Sequence, residues 1–297
     1  MDGMRVAFAR TTSALLDEDP QVALVLAEIS VSGYLWRAIE RHPERAVNIG
    51  IAEQAMVGIA AGFAMEGFHP IAHSIAAFVA ERPYEQLKLD FGYQGLGGTF
   101  VGVGGSYDYA AEGATHHAPA DAQVMTAIPT MQVLAPGHER EVDALLRATY
   151  ANGEPTYVRI GSAANTEPFD VAPGRIEVVA HGGAATVLAF GPMLWPTLQA
   201  CAGLDVTILY ATSLRPFDAA TLAGVVGGAP TVVAVEPWYE GTAAAAVTSA
   251  IADRPARYAW IGVPRTFVHA YGTREDLDRD AGLDPTGIRR RILEVMD

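Results

Sequence analysis

Glu53 makes the strongest chemical demand on this chain. From Ile49 through Met65, inside the stretch NIGIAEQAMVGIAAGFAMEG (Asn48–Gly67), every side chain is apolar or absent apart from Glu53 and Gln54. A lone carboxylate in such surroundings costs several kcal/mol unless it is protonated or hydrogen-bonded. A carboxyl group with a raised pKa is suited to sharing a proton with a weak base, which is general acid–base chemistry. The competing interpretation is an acid on the wet edge of a helix N-terminus, favoured by the macrodipole. A second concentration of chemistry is SYDYAAEGATHHAPADAQVM (Ser106–Met125), which gathers His116, His117, acids, a Gly and a Pro into one connection. Imidazole titrates near neutrality and can move protons there. A metal pair would want a Cys or a third spaced His beside it, and none accompanies His116 and His117. Polar residues hydrated at the surface are the other interpretation.

These residues need elements to position them. Met56, Ile59, Ala60 and Phe63 recur at three- and four-residue spacings and Gly67 supplies a stop, which predicts a helix over Glu53–Glu66. Before it, residues 4–17 read as a helix, 22–27 as a continuous apolar strand, 34–41 as a helix and 46–49 as a short strand. After it come strands at 70–73, 99–103, 132–135 and 157–160, with helices at 82–91, 122–127 and 138–150. The loop 104–119 follows a strand end, where ligands of parallel sheets bind. Breakers across Ser162–Pro173 mark a linker. Strands then recur at 185–190, 206–210, 231–236 and 258–261, with helices at 194–202, 218–226, 242–252 and 285–296. This alternation predicts two α/β domains with mostly parallel sheets, at 1–165 and 174–297.

Half of the 297 residues are apolar, enough for a sizeable core. A formal charge of -14 and the absence of any dense Lys/Arg run exclude an electrostatic nucleic-acid surface. Cys201 is the only cysteine, so the chain forms no internal disulfide and no zinc–cysteine cluster. The N-terminal residues lack a long apolar run, and neither a signal peptide nor a membrane span is expected, which makes the cytoplasm the expected compartment.

G-I-A-E-Q-A-M, following Asn48 and opening an Ala/Gly-rich helix, resembles the cofactor-activating motif of the transketolase family of thiamine diphosphate enzymes. The resemblance implies that Glu53 hydrogen-bonds ring nitrogen N1′ of the cofactor's aminopyrimidine and so activates it. G-A-T-H-H-A-P-A-D is similar to the G-P-T-H-Q motif of transketolases and deoxyxylulose-phosphate synthases. It implies that His116 meets the substrate's hydroxyls and handles its protons; His117 receives no role. By the same resemblance Phe78 packs on the aminopyrimidine, although a plain core Phe would look alike. Glu28 replaces the family's Asp after the first strand, where the resemblance implies a carboxylate that supports the cofactor or its neighbouring subunit; a strand-end acid in water is the competing view. Glu112, where most transketolases have Asp, and Arg10 and Arg159, where they grip a sugar phosphate, are the implied substrate contacts.

The sequence also departs from the family. Glu81 stands where another ring is usual, and Val103-Gly104-Gly105-Ser106 stands in place of T-H-D-S, which removes one phosphate ligand. This predicts an unphosphorylated or modified sugar rather than a common pentose phosphate. The G-D-G motif and its following Asn, which hold the diphosphate through a divalent metal, are missing, and Asp108 and Asp121 lie outside such a context. The resemblance covers only the C-terminal half of a transketolase. It therefore implies one half of a split enzyme, transferring a two-carbon ketol unit between sugars. A separate N-terminal subunit would hold Mg²⁺ and the diphosphate, in an α2β2 heterotetramer. Two alternatives stay open: the β subunit of a 2-oxo-acid dehydrogenase or acyloin-forming thiamine enzyme, and a catalytically silent partner subunit.

Overall fold

The computed structural model describes residues 3–30, 34–227 and 230–297. In chain order the strands are β1 (Val22–Leu26), β2 (Ala46–Asn48), β3 (His69–Ile75), β4 (Gly98–Val103), β5 (Gln132–Leu134), β6 (Pro155–Ile160), β7 (Ile176–Ala180), β8 (Ala185–Phe190), β9 (Val206–Ala211), β10 (Ser213–Arg215), β11 (Thr231–Tyr239) and β12 (Arg257–Val263). They form a seven-stranded sheet in the order β10-β5-β6-β4-β3-β1-β2 and a five-stranded sheet in the order β12-β11-β8-β9-β7. All pairings are parallel except β10 with β5 and β7 with β9. The protein is thus α/β with two mostly parallel sheets.

Parallel strands need cover on both faces, and the sequence of β1, Val-Ala-Leu-Val-Leu, is buried throughout. Each fully buried Val or Leu contributes about 1.5–3 kcal/mol. Helices Gly3–Glu18 and Glu139–Thr149 cover one face through Phe8, Leu15, Leu16, Val142 and Leu145. Helix Glu53–Met65 covers the other through Met56, Val57 and Ala60, in a core that continues into the second sheet at Leu188, Phe190 and Trp238.

The two sheets are joined directly. Glu141, fully buried on helix Glu139–Thr149, accepts hydrogen bonds from Gly137 N, Phe169 N and, at 2.6 Å, the Tyr210 hydroxyl of β9. Burial and this carboxylate push the Tyr210 phenol well above its ordinary pKa. β10, although it lies in sequence between β9 and β11 of the second sheet, crosses over to edge the first.

The structure departs from the sequence pattern around residue 80. In place of a helix over 82–91, β3 runs straight into helix Ala76–Glu81, then Tyr84–Gln86 and a π-helical segment Leu87–Tyr93. Pro83, which lacks an N–H, separates the first two. Other elements were not expected either: β7, β10, the 3-10 turns Ala110–Thr115 and Gly191–Met193, and helix Arg274–Asp280. That helix starts with a reciprocal cap between Thr273 and Asp276.

Candidate active site

The candidate residues lie just past the C-terminal ends of four adjacent strands, β4, β3, β1 and β2, where an open parallel sheet places its ligands. β1 leads into Glu28, β2 into the turn before Glu53, β3 into the helix bearing Phe78, and β4 into the loop bearing His116.

Glu53 is the first residue of its helix and is only 4% exposed. The Ala52 cap offers no side-chain acceptor, so the helix's free N–H groups favour an acid there. The partner its burial demands is Arg82: Nη1 donates to Oε1 at 3.0 Å and to Oε2 at 3.1 Å. The Arg82 guanidinium carbon also lies 3.5 Å from the centroid of the Phe78 ring. Phe78 also meets His116 in an edge contact, with centroids 5.0 Å apart and planes at 60°. Glu53, Arg82, Phe78 and His116 therefore form one continuous constellation. In front of Glu53 and Arg82 opens a cleft of about 480 Å³, also lined by Ala52, Gln54 and Ala55.

The His116 loop is shaped by Gly113, whose φ of 72° and ψ of -164° suit only glycine, and whose Cβ would lie 2.9 Å from the Tyr271 ring. His116 Nδ1 then pairs with Thr115 Oγ1 at 2.9 Å, and its ring faces Tyr109 at 5.9 Å. His117 points its chemistry elsewhere: it lines a hollow of about 370 Å³ with Glu81, Tyr107, Tyr239 and Phe267. Its buried Nε2 has no hydrogen-bond partner among the described residues, and burial lowers the imidazole pKa. In the same hollow burial raises the Glu81 carboxyl and holds the Tyr107 phenol at about 12.

The other expected residues are placed differently. Glu28 is exposed in the left-handed region (φ 65°), with its N–H and its carboxylate both bonded to the Asn48 side chain. Asn48 also accepts from Gly50 N, so Glu28 braces the turn leading to Glu53. Glu112 is exposed on the 3-10 turn Ala110–Thr115. Arg10 is exposed on the first helix, and among the described residues no hydrogen bond or ion pair joins it to the constellation. Arg159 lies inside the protein: 5% exposed, it donates from Nε to Asp121 at 2.8 Å and from Nη2 to Ser106 Oγ and Pro237 O. Gly105 is what lets the loop pass it, because a Cβ there would sit 2.3 Å from the guanidinium carbon. Arg82, central to the arrangement, was missed in the sequence; its spacing of four from Phe78 on a helical turn was the available signal. Among the described residues no group of His, Cys, Asp and Glu side chains could hold a metal ion, and no helix is long and apolar enough to cross a membrane.

A buried acid, an aromatic ring and an imidazole thus meet past the strand ends of an α/β sheet. Residues 3–164 match the transketolase pyrimidine binding domain and residues 174–288 the transketolase C-terminal domain; the chain belongs to the transketolase family. It is 39% identical over 292 residues to an uncharacterized 33.6 kDa protein in the fasciation locus of Rhodococcoides fascians, covering 97% of this chain and 93% of that one. It is 28% identical over 307 residues to one of the subunits of the apulose-4-phosphate transketolase of Phocaeicola vulgatus, covering 100% of this chain and 98% of that one. Among solved structures, a split gene transketolase described as an inactive beta4 tetramer superposes with a TM-score of 0.85 at 26% identity, covering 99% of this chain and 98% of that one.

Proposed function

We propose that this chain is the pyrimidine-binding and C-terminal subunit of a split transketolase, moving a two-carbon ketol unit between sugars with thiamine diphosphate. The observation that carries this is that the buried Glu53 carboxylate and the Phe78 ring face are bridged by one flat group, Arg82, at an open cleft, with His116 against the same Phe78 ring. The residues fit an aminopyrimidine, because the same two surfaces already hold another flat, N–H-donating cation, the Arg82 guanidinium. Bound thiamine diphosphate would supply the carbon nucleophile that attacks a ketose carbonyl and carries the transferred unit. Glu53 would share a proton at pyrimidine N1′, and Phe78 would orient the ring by stacking on it. His116 would move protons at the substrate's oxygens, with Glu112 in reach of a hydroxyl and Glu28 supporting the turn before Glu53.

The diphosphate and Mg²⁺ fall to a partner, an N-terminal subunit in an α2β2 assembly. Two features support this. The described residues offer no metal cluster. The rim of the Glu53 helix also exposes Ile51, Ile59 and Met65, and the neighbouring π-helical segment exposes Leu89 and Tyr93, an apolar face suited to burial by a second protein. The engagement of Arg159 with Asp121 supports a free or modified sugar substrate over a common pentose phosphate.

The test is co-purification with the product of a neighbouring reading frame, followed by ketol transfer with thiamine diphosphate and Mg²⁺ on phosphorylated and free ketoses. Glu53→Gln should lower the reconstituted rate by about 100-fold or more. Intact activity in that variant would falsify the assignment, and a clear preference for xylulose 5-phosphate would remove the substrate proposal alone.

A further inference from the structure

Arg82 satisfies two neighbours at once. Its guanidinium lies 3.5 Å over the Phe78 ring, and its Nη1 donates to both oxygens of Glu53 at 3.0 and 3.1 Å. A heterocycle stacked on the same face with a ring nitrogen bonded to the same carboxylate would need the same volume. Two flat groups cannot share it, so one must leave. The Arg82 side chain is free to do so. It is 46% exposed, it borders the open cleft, and the hydrogen bond that anchors its residue is made by the backbone carbonyl, which accepts from Gln54 Nε2 at 3.3 Å. The side chain can therefore swing out while the main chain stays.

We infer that Arg82 occupies the aminopyrimidine's place in the cofactor-free subunit and is displaced when thiamine diphosphate binds. It thereby keeps Glu53 paired until loading and sets the apparent affinity for the cofactor. This rests on the assignment of Glu53 and Phe78 to the pyrimidine. In energetic terms Arg82 is an internal competitor: the cofactor binds the fraction of molecules with the side chain swung out, and its apparent dissociation constant is the intrinsic one divided by that fraction. A half-exposed ion pair reinforced by a cation–π contact favours the inward position by roughly tenfold.

The experiment is titration of thiamine diphosphate, at fixed Mg²⁺, into the complex of this chain with its diphosphate-binding partner, read by calorimetry. Wild type, Arg82→Ala, Arg82→Lys, Glu53→Gln and Phe78→Leu are compared. Expected are a dissociation constant about 10-fold lower for Arg82→Ala, a smaller gain for Arg82→Lys, which cannot lie flat on the ring, and weaker binding for the other two. Arginine-labelled NMR of the isolated full chain gives an independent readout. The Arg82 Nε–H signal should show the ring-current shift of Phe78, lost in Phe78→Leu. If Glu53→Gln and Phe78→Leu weaken binding but Arg82→Ala leaves it unchanged or weaker, Arg82 is not a competitor and the inference is overturned while the pyrimidine site stands. If wild type does not bind, or neither Glu53→Gln nor Phe78→Leu matters, the pyrimidine assignment itself fails and takes the inference with it.

Discussion

Two arginine–carboxylate pairs in the first domain have the same chemistry and opposite circumstances. Arg159 and Asp121 are 5% and 0% exposed, and each is held by further bonds: Tyr157 OH donates to Asp121 at 2.8 Å, while Arg159 reaches Ser106 Oγ at 2.6 Å and Pro237 O at 3.1 Å. Ser106 itself is held in the left-handed region (φ 54°) and donates to Pro237 O. This cluster ties the His116 loop to β11 of the second sheet. The side chains of Arg82 and Glu53, by contrast, are 46% and 5% exposed and face an open cleft. The sealed pair fixes where the loop lies. The open pair fills a place that something else can take.

The contrast is broken most directly at Asp121. Asp121→Ala leaves buried Arg159 without its hydrogen-bonded carboxylate and Tyr157 without its acceptor, which should cost about 3–5 kcal/mol of unfolding free energy, measured by urea denaturation. A loss under about 1 kcal/mol would show that water reaches Arg159 after all and that the two pairs do not differ in kind.

His73 sharpens the comparison as a buried group with no charge partner. It is fully buried under Phe8, its Nδ1–H donates to Val101 O at 2.8 Å, and its Nε2 accepts from Ser30 at 2.8 Å. Burial lowers its pKa to about 3. Below the ordinary histidine pKa the unfolded chain binds a proton that the folded one refuses, so stability falls as pH drops from 6.5 toward 3. Between the upper end of that window and about pH 5 the loss should be about 2 kcal/mol. His73→Gln should have a correspondingly flatter pH–stability profile, and equal slopes for the two proteins would show that the imidazole is solvated.

Much of this was legible in the sequence, for a physical reason: parallel strands buried on both faces leave continuous apolar runs, as in β1, β8 and β11, whose positions the pattern gave to within a few residues. The burial of Glu53 was legible too, since nothing around it in the sequence could solvate it. Less visible were contacts made only in the folded chain. β10 is three residues long, Ser-Leu-Arg, and becomes a strand only by pairing with β5 from the other domain. Neither the engagement of Arg159 by Asp121 nor that of Glu53 by Arg82 leaves a periodic trace, because partners 38 and 29 residues apart meet through tertiary packing. The Arg82 position also depended on a helix boundary, and boundaries are set by local competition, here by Pro83.

The smallest expected effect lies at the open pair. Arg82→Ala should change unfolding free energy by no more than about 1 kcal/mol, in the chain without cofactor. The reason is solvation. Removing Asp121 leaves a cation only 5% exposed, whereas removing Arg82 uncovers Glu53 to a cleft of about 480 Å³ from which water can bond both oxygens. The cation–π contact with Phe78 is lost, but that face too becomes wet and its contribution at a half-exposed site is about 0.5–1 kcal/mol. Thermal and urea unfolding of the two variants side by side measure the difference. If Arg82→Ala destabilised the fold as much as Asp121→Ala, its guanidinium would be a structural part of the helix junction, and the two pairs would have to be assigned the same role.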